Sequence, residues 1–231
     1  MYSRGASALR RKLQTRMDDR PDSITVVGGA DFFGPLVTST SFLGDTFTKA
    51  IVVDGTKPIA IGSADAVHDF CYAPDFANAL YIASVSPDAY GRFWICPHSI
   101  KDKTLRDIAS DVASWSGRDP KMDGANADGT TKGKVDRKGK RTATKYHKES
   151  NRRHDVGTTV TVYGKTSVYL LSPFIGFMRE MAEMLPLWTQ DYTVDDSDFC
   201  STFGVSATPY EDAMRSYISF FLDQEDKDLE H

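Results

Sequence analysis

What this sequence lacks narrows it first. Cysteine is scarce. Three residues, Cys71, Cys96 and Cys200, are widely spaced and odd in number, which excludes a disulfide framework and points to a reducing, cytoplasmic setting. A long apolar run is missing. The longest, SVYLLSPFIGFM, is too short to span a membrane and is broken by Pro173. Met1 to Arg20 is basic and has no apolar stretch, so it does not read as a secretory signal. An excess of positive charge is missing too: 28 Lys and Arg against 32 Asp and Glu leave a net charge of −4, which argues against a general polyanion binder.

One segment lacks large apolar side chains altogether. Asp123 to Asp155 contains no Leu, Ile, Phe, Met or Trp. Within 121–156, eleven Lys and Arg face five Asp and Glu, a local +6. Such a stretch cannot bury enough apolar surface to offset its ordering entropy, so it is expected to be a disordered basic insertion. Its single aromatic, Tyr146, gives bases nothing to stack on, which argues against nucleic acid as a partner. His147 and His154 lie there without a supporting ligand pattern, and no metal site is expected.

What is present is a 231-residue chain, 40% hydrophobic, enough for one large domain or two small ones. Leu9, Leu13 and Met17 predict a basic amphipathic helix over 7–18. A buried strand is expected over 24–27, a helix through Phe42, Leu43, Phe47 and Ala50, and short strands at 51–53 and 59–61. Asp75 is placed as the N-cap of a helix running through Ser84, followed by a strand over 92–96. Thr104 caps a helix carrying Leu105, Ile108, Val112 and Trp115, which Gly117 ends. A strand at 161–163 and helix over most of 168–185 follow. Thr208 and Glu211 predict a capping box with Pro209 at the first helical position. The buried face of that last helix carries Tyr210, Met214, Tyr217, Ile218 and Phe221. Strands and helices interleave, which makes the class α/β.

ITVVGGADFFG, Ile24 to Gly34, has the outline of a dinucleotide-binding turn, and Asp54 lies where its ribose-binding carboxylate would stand. The chemistry of the loop argues against it. The slot that needs a glycine for approach to the pyrophosphate holds Asp31. Two like charges about 4 Å apart cost on the order of 4 kcal/mol at an effective dielectric near 20. Pro35 and the β-branched residues after it also make a poor helix opening.

Several stretches taken in order carry a resemblance: ADFFGP, HDFCYAPDFANAL, DAYGRFWICP, PFIGFMREMAEMLPLW and TPYEDAMRSYISFF. Together they resemble the C-terminal half of NAD-dependent epimerase/dehydratases, the extended short-chain dehydrogenase/reductases, from about residue 2 to 224. The resemblance implies late elements of a Rossmann-type parallel sheet plus a small α/β substrate-binding cap. It divides the chain into 1–122, late Rossmann elements and part of the cap; 123–155, the insertion; 156–224, cap helices; and 225–231, an acidic tail.

By the same resemblance, GGADFFGP is the loop after a late strand. Gly29 and Ala30 would lie beside the nicotinamide of NAD or NADP, and Asp31, Phe33 and His68 would meet a small-molecule substrate. Asp54 then has no ribose role. His68 stands where the family has an arginine for a diphosphate, and an imidazole does not offer that bidentate, permanent charge. Tyr2 falls at the place of the catalytic tyrosine, but its lysine partner, four residues on, is replaced by Ala6. Asp69, Asp75 and the methionines Met178, Met181 and Met184 are expected to be structural. The parent chemistry would be hydride transfer on an alcohol or ketone carbon. With no G-x-G-x-x-G in its 231 residues, the chain is expected to bind no dinucleotide alone. An exposed sheet edge would favour pairing of two copies.

Overall fold

The structure, a computed structural model, describes residues 2–20, 24–118, 159–172 and 176–229. The expected insertion at 123–155 lies outside the described residues.

Short aromatic and β-branched triplets form strands that pair with one another in parallel among the described residues, while Phe70 also makes an isolated antiparallel bridge to Ile100. β1 (Val26–Gly28) pairs with β5 (Phe93–Ile95), β2 (Asp31–Phe33) with β4 (Phe70–Tyr72), and β3 (Ile59–Ile61) with β6 (Thr161–Tyr163). Parallel neighbours require crossovers, which helices and loops supply, so the fold is mixed α/β. The helices are α1 (Tyr2–Asp19), α2 (Ala50–Val52), α3 (Ala73–Val85), α4 (Leu105–Ala113), α5 (Lys165–Leu171), α6 (Gly176–Met184), α7 (Ser197–Phe203) and α8 (Tyr210–Leu229). Among the described residues no helix is long and apolar enough to cross a membrane.

Side chains alternate across a strand, and β2 and β4 use this to separate two cores. Phe33, Phe70 and Tyr72 enter the larger core with Phe47, Ile108 and Tyr217. Cys71 points to the other side, into a second core with Trp94, Cys96, Phe199 and the partly buried Phe32. That second core is closed by α3 and α7, through Ala79 and Phe199.

Several expectations change. The first helix starts earlier, at Tyr2, and of its expected apolar face only Met17 is buried while Leu9 is 58% exposed. The strand expected over 24–27 is shifted to β1, and its residues are only half-buried. The expected strand at 51–53 is instead helical: a π-helical turn, Gly44–Lys49, runs directly into α2. Burial of Ile51 and Val52 in the larger core decides this over their β-branched preference. Asp75 is not the N-cap of α3; Tyr72 holds that position, and Asp75 lies in the first turn. Its carboxylate accepts from Ser99 Oγ, Thr208 N and Thr208 Oγ1. Thr208 is thereby engaged with Asp75 rather than with Glu211, whose carboxylate pairs with Arg215. The Thr104 box is present, completed by Asp107. Gly117 does not end that helix; a π-helical turn, Ser114–Arg118, carries through it. At the other end, α8 continues to Leu229 and takes up most of the expected acidic tail.

Candidate functional site

The C-terminal ends of β1 and β5 meet the N-terminal ends of β2 and β4, and four of the sequence-predicted residues, Gly29, Ala30, Asp31 and His68, lie at this seam. Parallel registry holds it: Cys96 N donates to Gly28 O at 2.8 Å, and Asp31 is in register with Phe70. Open α/β sheets bind ligands beyond strand carboxyl ends, which is where the Gly29–Ala30 turn lies.

Asp31 and His68 come together. His68 Nε2 is 2.7 Å from Asp31 Oδ2. A carboxylate only accepts, so Nε2 carries the hydrogen. The imidazole is buried, while the Asp31 side chain is 34% exposed. His68 therefore faces a ligand only through Asp31. Its ring stacks on Trp188, with centroids 4.0 Å apart and planes at 12°, and Trp188 stacks in turn on Phe42. Trp188 Nε1 is buried with no hydrogen-bond acceptor among the described residues. His68 is thus both a packing element and the group that fixes the direction of the Asp31 carboxylate.

A second histidine, which sequence reasoning missed, holds the loop itself. His98 Nε2 accepts from Ala30 N at 3.0 Å. That leaves Nδ1 to carry the hydrogen, and it faces Asp196 Oδ2 at 3.3 Å. The same oxygen accepts from His98 N, and Lys101 Nζ donates to Asp196 Oδ1 at 2.7 Å. Burial lowers the His98 pKa, outweighing the opposing pull of Asp196, and favours the neutral ring. Burial also works against the Asp196 charge, but Lys101 and the His98 amide overcome it and hold the carboxyl below the usual range. The one sequence signal for His98 was its place two residues after a strand end. Nothing local tied it to Asp196, 98 residues away.

The turn does not fit the pyrophosphate of a dinucleotide. A phosphate cradle needs free amides and open space where a side chain would be. The Ala30 amide is spent on His98, and Ala30 is buried. A Cβ on Gly29 would meet Cys96 Sγ at 2.9 Å and the Phe32 ring at 3.2 Å. The missing side chain thus makes room for the protein's own core. The partly exposed Asp31 carboxylate adds repulsion.

The remaining residues separate. Phe33 is fully buried against Tyr72 and Tyr217, so the core takes up its ring and it offers a ligand no surface. Tyr2 lies in the first turn of α1, and its side chain is outside the described residues. Asp54 is exposed just after α2. Asp69 is structural as expected, accepting from Val194 N.

No family model matches the sequence, and no curated protein is similar to it. Among solved structures the fold is similar to that of a dTDP-glucose 4,6-dehydratase from Bacillus anthracis in complex with NAD. The TM-score is 0.57 at 11% identity, over 94% of this chain. The chain spans 50% of the length of that one. At such identity the likeness is one of fold, and the chain has a Rossmann-like α/β fold of the kind seen in that dehydratase.

Proposed function

We propose that this chain is the substrate-side portion of an NAD(P)-dependent epimerase/dehydratase-like fold. It binds a hydroxylated, sugar-like small molecule at Asp31 and performs no hydride transfer on its own. The observation that carries this reading is the Asp31 carboxylate, partly exposed and fixed by buried His68 at 2.7 Å. A fixed carboxylate accepts hydrogen bonds from hydroxyl groups and disfavours phosphate at the same point. Parent chemistry for the fold would be hydride exchange with an alcohol or ketone carbon, a tyrosine serving as acid/base. Gly29, half-buried at the turn, would lie beside the nicotinamide end of NAD or NADP. The pyrophosphate would need a site from outside these 231 residues.

A second reading, a non-catalytic binding module of the same fold, is favoured by Ala6, which stands where Tyr2 would need its lysine. Both readings share the Asp31 site and differ only in whether chemistry follows when a cofactor-binding half is added.

The test is a titration of the folded chain with neutral hexoses and with UDP-hexoses, followed by the His68 ring and Ala30 amide resonances. Neutral sugars should move both signals. Asp31→Asn should weaken that response about tenfold, equivalent to about 1.4 kcal/mol. A chain that answers to no sugar, or an Asp31→Asn variant that answers equally well, would overturn the proposal.

A further inference from the structure

Two cysteines from separate strands meet in the second core. Cys71 is the middle residue of β4, turned away from the larger core by strand alternation. Cys96 directly follows β5. Their Sγ atoms are 3.1 Å apart, and both residues are fully buried. Around them the chain provides a side-chain-free backbone position and hydrogen-bond acceptors. Gly29 has no side chain where a Cβ would stand 2.9 Å from Cys96 Sγ. The Cys71 thiol also faces the carbonyls of Pro97 and Tyr72, at 3.5 and 3.6 Å. A disulfide bond is about 2.0 Å long, so bridging asks for an approach of about 1 Å.

We propose that Cys71 and Cys96 are a modification site, closing reversibly into an intrachain disulfide when the chain meets a low-molecular-weight disulfide. One protein thiolate attacks a sulfur of the small disulfide and expels one small thiol. The second protein thiolate then attacks the protein sulfur of that mixed disulfide and expels the other. The protein loses two hydrogen atoms, and the small disulfide gains them as two thiols. Hydrogen bonding to Cys96 and burial both raise the Cys71 pKa, which keeps Cys71 a thiol at rest, and the full burial of both residues makes local opening the slow step. Cys200 is half-buried and does not take part in the bridge.

The bridge would close the chain around α3 and tie β4 to β5. Their partners, β2 and β1, flank the Gly29–Ala30 turn. Oxidation therefore acts on the turn that His98 holds. This inference does not depend on the ligand assigned to Asp31.

The experiment exposes the folded full chain to oxidised glutathione, then unfolds it in an alkylating agent and digests it with trypsin without reductant. Cleavage after Arg92 places Cys71 and Cys96 on different peptides. The expected product is those two peptides joined, with a mass lower by two hydrogen atoms, in monomeric protein. Dithiothreitol should separate them, and Cys200→Ser should leave the linkage intact. Alkylation of both thiols, two separate glutathione adducts, a Cys96–Cys200 link or bridges only between chains would each overturn the proposal.

Discussion

Neutral His98 accepts the Ala30 amide with one ring nitrogen and faces Asp196 with the other, so protonation breaks the arrangement rather than adding to it. An imidazolium has a hydrogen on both nitrogens, and Nε2–H would then point at an N–H. The sign of the pH effect follows. Burial holds the folded His98 pKa below its ordinary value of 6.5, so the unfolded chain takes up the proton first. The stabilisation is fully present above about pH 6.5 and is lost as pH falls through the lowered folded value. His98→Gln can still accept from Ala30 and donate to Asp196, so it should cost only about 1–2 kcal/mol at neutral pH. It should also flatten the stability slope between about pH 7 and pH 5, because the ring whose pKa burial lowers is gone from position 98. Urea unfolding of both proteins across that range checks this. An unchanged slope would place the titration elsewhere. His68 makes a packing prediction. His68→Ala removes the stack on Trp188 and the partner of Asp31, and should destabilise by about 2–4 kcal/mol.

The π-helical turn before α2 is an element whose placement depends on one glycine. A Cβ on Gly44 would run into the carbonyl of Thr38, which is backbone and cannot swing aside. Gly44→Ala should therefore destabilise by about 1–3 kcal/mol or more, as overpacking does. Gly164→Ala, with nothing within 4 Å of its added Cβ, should change stability little. Thermal unfolding of the two variants makes the comparison, and equal midpoints would contradict the seating of this turn. The turn also marks where local sequence stops being a guide. The α4 start, the β5 triplet and the buried face of α8 were legible, because capping chemistry and apolar spacing are local signals. Helix rather than strand at Ile51 and Val52 was not, since burial against distant residues decides it. Asp75 was misread for the same reason: the groups it satisfies, Ser99 and Thr208, are 24 and 133 residues away. In the site, Asp31 and His68 were reachable through motif resemblance, whereas α7 and the Asp196–His98 contact required three-dimensional contact to appear.

For the whole molecule, the decisive feature is that the glycine turn is filled by the protein itself. Its amide is bonded to His98, its missing side chain leaves room for Cys96 and Phe32, and its next residue is a carboxylate. A dinucleotide loses several kcal/mol of freedom on binding before any contact is gained. The chain spans half the length of the NAD-bound dehydratase it resembles in fold. The ligand surface proposed above is the partly exposed Asp31 carboxylate beside this turn. Isothermal titration calorimetry of the 231-residue chain with NAD and with NADP tests this most directly. The account predicts no measurable heat of binding, with any Kd weaker than about 1 mM. A Kd in the micromolar range for either dinucleotide would contradict it and return Gly28 to Gly34 to the role of a working cofactor loop.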